Sequence, residues 1–339
     1  MFAALSLTGL LMACQAKEQQ QSAATPPASY YDHAGEAAPL TGGARMVEIK
    51  TPKGAFHVWT KAVGNNPTLK VLLLHGGPAV PHDYLEPFDS FLPQQGIEYI
   101  YYDQLGAGNS DQPKDDDLWT LDRFVDEIEQ VRQALKLDRS NFCLYGQSAG
   151  GLFAIEYALK YQQNLKCLII SNMMASISAY NDYAHKVLMP QMDPTHLALV
   201  QQLEKEGKTG DPRYLGTLIP DFYEKHILRM PFDKWPEPVN RSFARQNEHI
   251  YTLMQGPSEM GASGRLANWE RFADLKKIAV PTLVIAAKYD TMDPAYLKKM
   301  AEQMPKGDYA LMQNGSHLAI YDDQQAYFAA LIGFLKKQE

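Results

Sequence analysis

Six short apolar runs constrain this chain more than any other feature: 71–74, 99–102, 142–145, 167–171, 282–287 and 309–312 are almost continuously hydrophobic, with no polar–apolar alternation. A strand that reads this way is buried on both faces, as in a parallel sheet covered on each side. Between the runs lie stretches at 121–135, 152–161, 296–304 and 325–335 whose apolar residues recur at three and four positions, the helical period. Strand and helix alternate, so the fold class is α/β with a mostly parallel central sheet. Two earlier runs, 46–51 and 56–63, flank Pro52-Lys53-Gly54 and predict an antiparallel hairpin ahead of the parallel part.

The alternation is interrupted between about 172 and 266. There the segments 180–188, 194–206, 213–229 and 238–255 carry helical spacing, and no strand of comparable quality occurs. The sheet pattern resumes at Thr282. The simplest organisation is a core formed by 44–171 and 267–339, with 172–266 as a helical cap over one end of the sheet. Ligands in open α/β sheets sit beyond the carboxyl ends of the strands, so a cap placed there closes a pocket.

The chemistry is carried by Gly146-Gln147-Ser148-Ala149-Gly150-Gly151, between the run 142–145 and the helix-like segment from Leu152. A serine on a sharp strand-to-helix turn is presented as a nucleophile, and glycines two positions to either side let strand and helix approach without side-chain collision. A serine hydroxyl is a weak nucleophile until a base takes its proton. Of nine histidines, His317 is the best placed, because it follows the run 309–312 in Asn314-Gly315-Ser316-His317. Asp290, after the run 282–287, is the carboxylate to orient it, with Asp293 the nearest competitor. The order Ser148, Asp290, His317 puts nucleophile, acid and base after three separate strands. His75-Gly76-Gly77-Pro78, directly after the first parallel run, offers unobstructed backbone N–H groups. Gly77 N–H, together with Ala149 N–H, is the expected oxyanion hole. His75 is read as a brace for that loop.

Composition excludes several other classes. Hydrophobic residues make up 45% and charged residues 21%, an ordinary globular balance. The formal charge of −7 (32 Lys plus Arg against 39 Asp plus Glu) comes with no basic tract, so nucleic acid is not an expected partner. The three cysteines, Cys14, Cys143 and Cys167, form no disulfide framework or metal-ligand spacing. Cys143 and Cys167, each inside an apolar run, are expected to be buried thiols, and neither a metal nor a cofactor is expected.

The first thirteen residues, MFAALSLTGLLMA, are uncharged, mostly apolar and too short to span a bilayer, and they end directly before Cys14. This predicts a signal peptide at 1–13. Leu11-Met12-Ala13-Cys14 resembles the bacterial lipobox, which implies acylation of Cys14 and a lipoprotein held at the periplasmic face of the outer membrane. Residues 14–43, rich in Gln, Ala, Ser and Pro, read as a flexible tether.

The folded part resembles the proline iminopeptidase branch of the α/β hydrolases over roughly 47–336. The segments that carry the resemblance are HGGPAVPHDYL (75–85), YYDQLGAGNSD (101–111), GQSAGG (146–151), MQGPSEM (254–260), KYDTMDP (288–294) and GSHLAIYDD (315–323). The resemblance implies an α/β-hydrolase fold with a helical cap, a Ser148–Asp290–His317 triad and an oxyanion hole at Gly77 and Ala149. It also implies a serine aminopeptidase that releases N-terminal proline or other small residues from short peptides or amino-acid amides through an acyl-enzyme. Glu259 falls on a position where the family's aminopeptidases hold the substrate's free amino group. The chain departs from the related archaeal pattern at Thr291, where that pattern has a second amine-binding Glu, and at Ala149, where many members carry a bulky aromatic. These departures leave open an esterase, lactonase or general amidase with the same triad. A lipid-tethered binding protein with a vestigial triad is the non-enzyme alternative. Dehalogenases and epoxide hydrolases place an Asp where this chain has Ser148.

Overall fold

The computed structural model describes residues 43–339. The predicted signal peptide, the lipidation site Cys14 and almost all of the tether lie outside the described residues. The strands are β1 (Ala44–Thr51), β2 (Gly54–Val63), β3 (Lys70–Leu74), β4 (Glu98–Asp103), β5 (Phe142–Gln147), β6 (Cys167–Ser171), β7 (Thr282–Ala287) and β8 (Gly307–Met312). They form one sheet in the order β1-β2-β4-β3-β5-β6-β7-β8. The β1–β2 and β2–β4 pairings are antiparallel and the rest are parallel. The hairpin is therefore an extension on one edge of a parallel sheet.

The central strands feed two cores because successive side chains leave opposite faces. Leu72, Leu74, Leu144 and Ile170 pack into one apolar cluster, with residues of helices Leu121–Ala134, Ala149–Tyr161 and Pro294–Gln303. Val71, Leu73, Tyr145 and Ile169 pack into the other, with residues of Phe88–Phe91 and Gln324–Lys336. A fully buried Leu or Ile contributes about 1.5–3 kcal/mol, so the continuous apolar runs supply a substantial driving force for this layering. The outermost strand β8 departs from the expectation of two buried faces. It has no strand beyond it, and four of its six residues are only half-buried.

Among the described residues no strand lies between Ser171 and Thr282, and the intervening chain is helical apart from its connections. The cap helices are shorter than the periodicity suggests. The run 213–229 breaks into Pro212–Leu218, a π turn at Ile219–Tyr223 and Glu224–His226, with Pro220, which has no N–H to donate, in the π turn. The run 238–255 breaks into Glu237–Ala244 and Glu248–Met254, because the Asn247 side chain accepts from Ile250 N–H and starts a new helix. Leu188, Val200, Leu203, Leu218 and Phe222 give the cap a small core of its own.

Several contacts tie the cap to the sheet domain. Ser242 Oγ donates to Pro81 O (2.7 Å), and Arg245 Nη1 lies 2.9 Å from both carboxylate oxygens of Asp83. On the other side His317 N–H donates to His226 O (2.9 Å) and Leu318 N–H to Ile227 O (2.8 Å), so cap backbone pairs with the loop that carries His317.

The cysteines correct the sequence reading. Cys143 and Cys167 face each other in the parallel β5–β6 register, with Cα atoms 4.5 Å apart, and form a disulfide rather than two buried thiols. Each cysteine does lie in an apolar, fully buried strand. What brings them together is the pairing of two strands whose register the local sequence does not encode.

Candidate active site

Ser148 stands between β5 and helix Ala149–Tyr161 with φ 53° and ψ −129°, a backbone conformation seldom seen outside glycine. The flanking glycines make that turn sterically feasible. A Cβ on Gly146 would meet the backbone of Gly150, one on Gly150 would meet the carbonyls of Leu74 and His75 at the end of β3, and one on Gly151 would lie 2.8 Å from Met173 Cβ. The strand, the turn and the helix can therefore pack only as they do with glycine at these positions.

The structure brings the predicted site residues together. His317 Nδ1 is 2.7 Å from Asp290 Oδ1, and Asp290 is fully buried. Ser148 and His317, 8% and 5% exposed, line one cavity with Gly76, Gly77, Val80, Tyr84, Phe243 and Glu259. Burial alone would lower the pKa of His317, but the charge and hydrogen bond of Asp290 outweigh it and raise it above the ordinary histidine value. Nδ1 bonded to the carboxylate leaves Nε2 as the nitrogen available to a proton on the cavity side. Asp293, the competing carboxylate, instead caps helix Pro294–Gln303 by accepting from Ala295 N–H (2.9 Å).

The expected oxyanion donors also lie at this cavity. Ala149 is the first residue of its helix, so its N–H stands outside the helical hydrogen-bond ladder, at the positive end of the helix dipole. Gly77 has φ 107° and follows Gly76, whose N–H donates to Tyr84 Oη (2.8 Å). A Cβ on Gly76 would come 2.9 Å from Ser148 Cβ, so this loop lies directly against the serine. His75 is fully buried, and burial lowers its pKa. Its Nε2 accepts from Gln104 N–H (3.0 Å), so its proton is on Nδ1 and donates to Gly76 O (3.0 Å). It braces the loop in the neutral form.

Glu259 reaches the same cavity from the cap. Tyr251 Oη donates to its Oε1 (2.5 Å), Tyr180 Oη donates to its carbonyl (2.7 Å), and its own N–H donates to Tyr223 Oη (3.4 Å). Burial, and then the charge of Glu259, push the Tyr251 hydroxyl well above its usual pKa, so it stays a neutral donor. Thr291 is fully buried; its Oγ1 lies 3.3 Å from both Asp290 Oδ1 and His317 Nδ1.

Two residues that motif reading passed over hold the site together. Gln147 accepts from Tyr84 Oη (2.7 Å) through Oε1 and donates from Nε2 to His317 O (3.1 Å), which joins the nucleophile turn to the histidine loop. Both occur inside segments the sequence singles out, 75–85 and 146–151, so the signal was present while the pairing partners were not. The cavity lined by Ser148, His317 and Glu259 has a free volume of about 40 Å³. A larger one of about 730 Å³ lies between Trp119 and Trp269 and contains none of these groups. Chemistry, not volume, marks the site. Among the described residues no group of three or more His, Cys, Asp or Glu is arranged to hold a metal.

Comparison with known proteins agrees with this architecture. The family described as the alpha/beta hydrolase fold matches residues 70–324. A proline iminopeptidase of Chitinophaga pinensis is 51% identical over 292 residues, covering 86% of this chain and 98% of the relative. One of Flavobacterium johnsoniae is 52% identical over 290 residues, covering 86% and 97%. Among solved structures, the proline iminopeptidase of Mycobacterium smegmatis superimposes with a TM-score of 0.75 at 28% identity, over 87% of this chain and 98% of that one. With a buried His–Asp pair beside a serine on a glycine-flanked turn, and half of all positions shared with such relatives over nearly their whole length, the chain belongs to the proline iminopeptidase family of the α/β hydrolases.

Proposed function

We propose that this protein is a serine aminopeptidase that releases N-terminal proline or another small residue from short peptides and amino-acid amides. His317 Nε2 takes the proton of Ser148 Oγ as the oxygen attacks the scissile carbonyl. The oxyanion that develops is held by the N–H groups of Gly77 and Ala149. His317 then returns the proton to the leaving amine, and water, deprotonated by the same imidazole, clears the acyl-enzyme. Asp290 holds the imidazole and stabilises its charged form. Glu259 pairs with the substrate's free ammonium, whose burial without a partner would cost several kcal/mol.

The observation that carries this reading is the convergence of Ser148, His317 and Glu259 on one small cavity under the cap. The cavity is small, with a free volume of about 40 Å³, and cap residues Ile227, Phe243 and Glu259 form part of its wall. Such a pocket favours short substrates over folded chains. The test is hydrolysis of prolyl and alanyl arylamides by the purified protein: Ser148→Ala should abolish turnover, and an unchanged rate would end the reading.

The same proposal extends to location. Leu11-Met12-Ala13-Cys14 and the polar segment after it fit an exported lipoprotein tethered to the membrane, with its catalytic part in the periplasm. The Cys143–Cys167 bond agrees with an oxidising compartment. Growth with a labelled fatty acid should label the protein and leave Cys14→Ser unlabelled; no label on the unaltered protein would refute the anchor.

A further inference from the structure

Behind the His317–Asp290 pair lies a line of buried polar groups that the mechanism above does not use. Asn172, the residue after β6, has φ 54° and is 1% exposed. Its Nδ2 donates to Asp290 Oδ2 (2.7 Å), the carboxylate oxygen that His317 does not touch. Its Oδ1 accepts from Ser171 Oγ (2.6 Å). Ser171 Oγ is 2.8 Å from Tyr327 Oη, which is 2.6 Å from Tyr145 Oη. All of these side chains are at most 1% exposed.

The donors in this line have only one consistent direction. A carboxylate only accepts, so Asn172 must turn its amide nitrogen to Asp290 and its oxygen to Ser171. Ser171 spends its single hydroxyl proton on that oxygen, so Tyr327 must donate to Ser171, and Tyr145 to Tyr327. Every proton points toward Asp290. Burial raises the pKa of both phenols, which agrees with their acting as neutral donors. The Ser171–Asn172 pair is itself anchored at the catalytic turn and in the sheet. Ser148 N–H donates to Ser171 O (3.0 Å), and Asn172 N–H donates to Ile285 O in β7 (2.9 Å).

We infer that Asn172 is a positioning residue for catalysis, held in orientation by the Tyr145–Tyr327–Ser171 chain so that Asp290 presents one fixed oxygen to His317. Without the amide the carboxylate could rotate about its χ2 and share Oδ1 and Oδ2 unequally with the imidazole, and the base would lose its aim at Ser148. Misplacement of a catalytic group on that scale costs about 10- to 100-fold in rate. The inference rests on the triad reading above.

Asn172→Gly tests it first, since glycine accepts the positive φ and removes only the amide. The expected result is a fall in kcat of about 10- to 100-fold with KM little changed. Asn172→Asp keeps the shape but sets a second carboxyl against Asp290, and two carboxyls this close share one proton. Its kcat/KM should therefore fall with rising pH where the unaltered enzyme is flat. Should the glycine variant fail to fold, Ser171→Ala releases the amide orientation and should lower kcat without raising KM. Wild-type kcat and pH profile in the aspartate variant together with wild-type kcat in Ser171→Ala would overturn the inference. If those variants are normal while Ser148→Ala is inactive, only the positioning role falls; if Ser148→Ala remains active, the triad reading itself has failed.

Discussion

In the proposed mechanism His317 sets the pH behaviour of the enzyme, because only its neutral form can accept the serine proton. Asp290 raises its pKa above 6.5 in spite of burial, so the acidic limb of kcat/KM should lie above the ordinary histidine value. In Asp290→Asn both the charge and the ionic hydrogen bond are lost while burial remains, so the limb should move to lower pH. Turnover should also fall about 10³- to 10⁴-fold, as measured on arylamide substrates across pH. A limb that stays in place would mean that Asp290 is not what raises His317. In the proposed mechanism Glu259 acts on binding rather than on the reacting bond. Glu259→Gln should raise KM about 10- to 100-fold for substrates with a free amino group and leave N-blocked esters nearly unaffected; equal effects on both would remove its role. The triad residues stood out in the sequence because each follows an apolar run in the order the chemistry uses. Asn172 did not, since an asparagine after a strand looks like any turn residue until its amide is seen against Asp290.

Among the secondary-structure elements, the turn from β5 into helix Ala149–Tyr161 is where packing and catalysis coincide. Gly150 lies against the carbonyls of Leu74 and His75, so Gly150→Ala must push the helix off β3 and should destabilise the fold by about 3 kcal/mol or more, read from the urea midpoint. Gly333, in helix Gln324–Lys336 with nothing within 4 Å of an added Cβ, gives the opposite expectation. Gly333→Ala should stabilise by about 0.5–1 kcal/mol. The strands were legible to within two residues, and β6 and β7 match the apolar runs at both ends, because burial on both faces forces an unbroken hydrophobic string. The cap helices were less legible. Their breaks at Pro220 and Asn247 arise from π turns and capping that a helical period does not register.

For the whole molecule, the cap and the sheet domain are joined because cap backbone from 226–227 pairs with the histidine loop and Arg245 grips Asp83. The Cys143–Cys167 bond closes a loop of sequence separation 24 and contributes about 3 kcal/mol by restricting the unfolded chain. Protein lacking Cys14, denatured without reductant, should therefore show no free thiol, and two after reduction; two free thiols before reduction would contradict the bridge. Local sequence was enough for the layers and for the serine turn: continuous apolar strings demand a covered parallel sheet, and Gly-x-Ser-x-Gly demands a strand–turn–helix that exposes the serine. Which cysteines meet, which cap residues line the cavity and how Tyr145, 182 positions from Tyr327, joins the line of donors behind Asp290 were settled by contacts between distant segments. The physical reason is range. Periodicity and motif spacing record forces between near neighbours in the chain, whereas strand register and buried hydrogen bonds record contacts between segments whose separation in sequence carries no trace of their meeting.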